Sequence, residues 1–163
     1  MAPLSDSRIL DRSAAVMKEL LVHPAWRASL EQATARPRPL LVTSIAPTPR
    51  SGRRLPDYFI VSVQRGKGVS ARFAHDAETG AFLEAEAVRT ADGVLPEYVD
   101  PTQPLPLEGA TATTIATHET VWQPCAESAS RFLPFFRFLV QGQPVYLRAD
   151  GVLFETLTVN IRG

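Results

Sequence analysis

One cysteine among 163 residues, Cys125, excludes an internal disulfide framework and fits a reducing compartment. Long apolar runs are also missing, and no stretch approaches the roughly 18 residues that would suggest a membrane span. The opening Met1-Ala-Pro-Leu-Ser-Asp-Ser-Arg8 lacks a basic segment leading into an apolar one, so it does not read as a signal peptide. Cytoplasmic residence is the expectation. Histidine is scarce. The three residues His23, His75 and His118 share none of the short spacings that place two metal ligands on one element, so neither a metal nor another cofactor is expected. Net charge is zero and the isoelectric point is near 6.8, which counts against a phosphate-tracking surface for nucleic acid.

The charges that cancel overall are separated along the chain. Eight basic residues lie between Arg36 and Arg72 (Arg36, Arg38, Arg50, Arg53, Arg54, Arg65, Lys67 and Arg72) against Asp57 alone, and ten acidic residues lie between Phe73 and Ser130 against Arg89 alone. Two readings follow: blocks that neutralise each other or stay solvated, or a basic groove for an acidic peptide.

An apolar fraction of 45% is ordinary for a globular chain of this length and supplies ample core. The chain is organised around Asp57–Glu86. Tyr58-Phe-Ile-Val-Ser-Val63 and Val69-Ser-Ala-Arg-Phe-Ala74 suit a pleated, half-buried surface. Gly66, Gly68 and Gly80 supply the backbone freedom that tight connections need. The spacing predicts a three-stranded antiparallel meander. A shorter echo follows near the C-terminus in Phe136-Arg-Phe-Leu-Val-Gln-Gly142, Val145-Tyr-Leu-Arg-Ala-Asp150 and Gly151-Val-Leu-Phe-Glu155.

Before the meander, Ile9, Leu10, Ser13, Val16, Met17, Leu20 and Leu21 recur at helical spacing behind a Ser5 or Asp6 cap. Pro24 then opens a second short helix with Trp26 and Leu30 on one face. Leu40-Leu-Val-Thr-Ser-Ile45 reads as a strand, and the segment 47–56 as a Pro- and Arg-rich loop. The segment 89–109 is a Pro-rich connection of a length associated with functional loops or linkers. Thr111–Trp122 reads as a long strand, Gln123–Arg131 as a turn or short helix, and Pro134 marks a bulge or an edge. The predicted fold is α+β, an N-terminal helical hairpin packed on an antiparallel sheet of two related meanders. It is taken as a single domain: 1–35 helical, 40–88 the first strand and meander, 89–109 the loop, and 110–163 the second strand and meander.

Chemistry is sparse. Cys125, after a strand and near a helical turn, is a candidate nucleophile, with His118, His75 or His23 as base and Glu127 or Glu119 to orient it. No local signature of a cysteine hydrolase accompanies it, and a lone cysteine is commonly buried. Arg65-Gly-Lys-Gly68 joins two strands, whereas a phosphate cradle leads into a helix. Glu84 and Glu86 share one strand face as a solvated stripe. Phe132, Phe135, Phe136 and Phe138 with Trp122 and Tyr146 form a dense aromatic cluster. Strict alternation cannot bury Phe135 and Phe136 on one side, so either one is exposed or the sheet is covered on both faces.

The run Tyr58-Phe-Ile-Val-Ser-Val63 followed by Ser70-Ala-Arg-Phe-Ala-His-Asp-Ala-Glu-Thr-Gly-Ala-Phe-Leu83 resembles the PepSY domain pattern, with Asp76, Thr79 and Gly80 in its Asp-x-x-Thr-Gly turn. The resemblance implies a cystatin-like α+β arrangement and a noncatalytic role in binding peptides or inhibiting peptidases. PepSY domains are mostly exported or membrane-attached, a context this sequence does not signal. The Arg-, Ala- and Pro-rich composition fits a GC-rich bacterial source, where such a protein could serve peptide processing or peptide natural-product pathways.

The expected function is therefore a peptide- or protein-binding module working through a sheet edge or groove. Arg50, Arg53, Arg54, Arg65, Lys67 and Arg72 would be its basic contacts, Trp122 and Phe135 its aromatic ones, and 89–109 a flap. Homodimerisation through sheet edges is compatible with the same features. The alternatives are a small enzyme built on Cys125 and a self-assembling structural subunit.

Overall fold

The computed structural model describes residues 2–45, 55–90, 92–103 and 118–158. Among the described residues, two short helices and nine mostly antiparallel strands make an α+β fold. It divides into two compact units: Met1–Val42 with Pro56–Glu97, and Thr43–Leu55 with Tyr98–Gly163.

In the first unit, helix α1 spans Asp6–Leu20. Ser5 caps it by accepting the Arg8 backbone N–H at 3.4 Å, and Asp6 and Lys18 sit at the ends where the helix dipole favours their charges. Helix α2, Pro24–Leu30, begins on the proline, whose missing N–H costs nothing at a first turn. The strands are β1 (Thr34–Ala35), β2 (Leu40–Ser44), β3 (Tyr58–Arg65), β4 (Gly68–Asp76) and β5 (Phe82–Ala87). The expected meander is present, with β3 antiparallel to β4 and β4 to β5. On its other side β3 pairs with both β1 and β2. Strand β1 escapes sequence reading because Pro37 and Pro39, which have no N–H to give a ladder, separate it from β2.

Alternation places the odd residues of β3 and β4 toward the helices. Ile9 packs with Phe59, Val61 and Ala77, while Leu30, Val63, Ala71 and Phe73 gather Val16, Met17, Leu20 and Trp26. Burying a side chain such as Phe73 contributes about 1.5–3 kcal/mol, and the helical stripe and strand alternation together dictate which residues are buried.

In the second unit the last residues of β2, Thr43 and Ser44, pair in parallel with β6 (Glu119–Trp122). Strands β7 (Phe135–Val140), β8 (Gln143–Arg148) and β9 (Leu153–Phe154) follow as an antiparallel meander, with β7 also paired to β6. Of the predicted strand 111–122, only Glu119–Trp122 is described as strand, and 111–117 lie outside the described residues. Gln123–Arg131 forms turns rather than a helix. Pro134 corrects another expectation, since β7 is an interior strand. The proline stands just before it, where its carbonyl accepts the Ala149 N–H at 2.9 Å and no ladder donor is lost. Phe135 and Phe136 are both buried, at 0% and 3% exposure, so the start of β7 is covered on both faces, whereas Leu139 farther along the Phe135 face is 68% exposed.

Candidate functional site

The chemically richest region of the first unit is the end of β4, the turn after it, and β5. Asp76 organises the turn. Its Oδ1 accepts the backbone N–H groups of Glu78 and Thr79, both at 2.9 Å, and its carbonyl accepts from Gly80 at 2.9 Å. Thr79 Oγ1 accepts from Ala81, and Gly80 has φ of +74°, a left-handed conformation that favours glycine. A Cβ at Gly80 would meet Leu4 Cδ1 at 3.0 Å and Arg12 Cγ at 3.1 Å, so α1 and the segment before it press on this turn. The Leu4 N–H donates to the Ala77 carbonyl at 2.7 Å.

His75, immediately before the turn, has no exposed surface. Its Nδ1 lies 3.1 Å from the Gly80 carbonyl, which can only accept, so Nδ1 carries the proton. Nε2 is then an acceptor, and Ser13 Oγ of α1, at 2.8 Å and itself fully buried, donates to it. Burial lowers the imidazole pKa and the nearby Arg12 guanidinium adds to that, while the Gly80 hydrogen bond opposes both. Phe82 of β5 meets the ring edge-on at 6.0 Å. The Ser–His pair has the polarity of a nucleophile and its base, yet both partners are sealed between α1 and the sheet, where no substrate reaches them.

Strand β5 ends the ladder of the first unit, with only β4 beside it among the described residues. Val88 donates to the Ser70 carbonyl at 2.9 Å, and the register runs on through Arg72↔Glu86 and Ala74↔Glu84. Antiparallel alternation then turns the N–H and C=O groups of Ala85 and Ala87 away from β4. Phe82 is 45% exposed beside them. The result is a short row of backbone donors and acceptors next to an exposed aromatic ring, which is what an added strand requires.

The residues singled out from sequence do not converge. Arg50, Arg53 and Arg54 lie outside the described residues. Arg65 and Lys67 flank the β3–β4 turn, where Gly66 has φ of +62°; Lys67 is exposed, and Arg65 Nη2 reaches the Gly93 carbonyl at 3.4 Å. Arg72 is buried and donates to Glu86 and the Pro96 carbonyl, which corrects its reading as a surface contact. Burial raises the Glu86 pKa, and Arg72 only partly offsets this. Glu86 is therefore half of an internal pair rather than one of a solvated stripe. Arg36 forms a two-pronged pair with Glu97, at 2.7 and 2.8 Å, and donates through Nε to Gln64 at 2.9 Å. Parts of the basic and acidic blocks thus neutralise each other within the first unit.

Trp122 and Phe135 are buried, which corrects their reading as exposed contacts. Phe135 meets Tyr146 and Phe154 edge-on, each at 6.1 Å. Cys125 is 1% exposed, with its thiol 3.8 Å from the Ser128 carbonyl, and burial raises its pKa. His118 rests on Phe136 and Phe138, at 5.5 and 5.6 Å between ring centroids. Among the described residues no histidine is hydrogen-bonded to Cys125, and no group of His, Cys, Asp and Glu could hold a metal ion. Burial, with the Glu127 carboxylate beside it, favours the protonated thiol over the nucleophilic thiolate.

The Ser13–His75 contact was partly legible. Ser13 falls on the apolar stripe of α1 at four residues from Ile9, and His75 falls on the buried side of β4 at two residues from Phe73. Two polar residues on facing apolar surfaces must satisfy each other. No protein-family model matches this chain, nor does any curated protein or any solved structure.

Proposed function

We propose that this protein is a noncatalytic module that binds an extended peptide or protein segment as an added strand along the outer side of β5. The observation that carries this reading is the outward row of backbone groups at Ala85 and Ala87 beside the exposed Phe82. The buried state of Cys125 favours binding over catalysis. The PepSY resemblance of β3, β4 and the Asp76–Gly80 turn supports the same role, with a place as accessory or regulator of a peptide-processing system. Among the described residues no helix is long and apolar enough to cross a membrane.

The occupant proposed is a foreign extended segment, for which the exposed Phe82 beside the backbone row offers an apolar side-chain contact. The test is a peptide selected for binding from a displayed library, then measured against Ala85→Pro. Proline at 85 removes an outward donor and leaves the β4 ladder whole. Loss of binding with an unchanged circular dichroism spectrum is expected. Undiminished binding to the folded variant would refute the β5 edge.

A further inference from the structure

We propose that His75 is an acid-sensitive latch, which holds α1 on the sheet while its ring is neutral and releases the helix when the ring takes up a proton. This goes beyond the binding reading and does not depend on it. The ring is the one titratable group in the direct hydrogen bond that ties α1 to β4, and both of its nitrogens are engaged. In the neutral state the Ser13 hydroxyl donates a hydrogen bond to Nε2, and Nδ1–H donates one to the Gly80 carbonyl. A proton arriving at Nε2 turns that nitrogen into a donor. The Ser13 hydroxyl must then rotate to accept, and a full charge sits in a site with no exposed surface.

Among the described residues, the charged group that acts on the ring is a cation rather than a counter-ion. From α1 the charged side chain that bears on the ring is Arg12, which repels the new charge. From the turn, Asp76 directs Oδ1 to its own loop's N–H groups, and Glu78 is exposed. From β5 the ring meets Phe82, while Glu84 is opposite Ala74 and so faces the other side of the sheet. From β3 the residue opposite is Phe59.

The cheapest relief is for α1 to lift, because the helix carries both Ser13 and Arg12. Lifting lets water reach the imidazolium and uncovers Phe59 and Val61 beneath Ile9. Native proteins open locally, element by element, at a lower free energy than global unfolding. Acid would thus expose an apolar sheet face that is hidden at neutral pH.

The sign follows from proton linkage. Between the ring's ordinary value near 6.5 and its lower closed-state value, the open form binds one more proton than the closed form. The opening constant of α1 should therefore rise by up to about tenfold for each unit that pH falls across that window. Amide exchange of residues 5–20 in the full chain, corrected for intrinsic exchange rates, reads this constant between about pH 7.5 and 5. The double variant His23→Gln/His118→Gln should keep the slope, with His75 as the one imidazole whose proton uptake is followed by NMR. His75→Gln should flatten it. The latch is overturned if α1 protection is independent of pH, if the slope survives in His75→Gln, or if the ring of the double variant titrates while the α1 amides stay protected.

Discussion

Each unit contains a three-stranded antiparallel meander, yet the two bury their side chains by different means. In β3 and β4 of the first unit, alternation sends Phe59, Val61, Val63, Ala71 and Phe73 under helices, and one position of that face is the polar His75. In the second unit no described helix is present, and β7 buries Phe135 and Phe136 on opposite faces. A period-two pattern therefore fixes strand pairing in both units but leaves open what covers each face. Where a helix covers the face, an internal polar contact can set its position. Where aromatic rings cover it, ring packing is joined by polar contacts such as Trp122 Nε1 with Ser128 Oγ at 3.4 Å.

Core truncation should touch both units alike. Phe73→Ala and Phe135→Ala should each cost about 3–5 kcal/mol by denaturant unfolding, because both rings are fully buried. A much smaller loss at Phe135 would mean that the aromatic unit can collapse around the gap, which would sharpen the contrast. Ser13→Ala separates the units more cleanly. It leaves His75 Nε2 buried without a donor, for a cost of about 1–3 kcal/mol. A neutral result would remove the polar contact as a determinant of helix position. Asp76→Ala should cost about 1 kcal/mol through two lost acceptor contacts in the turn.

The smallest effect belongs to the Arg36–Glu97 pair, whose partners are 32% and 55% exposed. Despite its two-pronged geometry, solvent screening should hold the loss in Arg36→Ala to less than about 1 kcal/mol, with the difference shrinking in high salt. Arg36 holds the Glu97 carboxyl below its ordinary value, so the pair's contribution is present above about pH 4.5 and fades as pH falls through the lower folded value. Stability of wild type and Arg36→Ala should therefore converge in acid.

Sequence reading recovered most strand and helix positions because periodicity and turn chemistry are local. Ser5 as cap, Pro24 as helix start, and Gly66 and Gly80 as turns carry their signals in one or two residues. Tertiary relations were not visible in this way. That Arg72 is buried against Glu86, that Cys125 is sealed, and that Ser13 meets His75 across 62 positions depend on which faces come together. The β5 edge was legible only as a general property of sheets, because the last strand of a ladder is known only once the strand order is. Proposing Trp122 and Phe135 as contacts failed for a simple reason: aromatic rings serve both cores and surfaces, and alternation does not say which.

The most direct test of the binding account is residue-resolved amide exchange of the full chain with and without a library-selected peptide. Slowed exchange at Ala85 and Ala87 in the wild type, with the slowing at Ala87 lost in Ala85→Pro, is the result expected of strand addition at β5. Protection elsewhere, with these two amides unchanged, would contradict it.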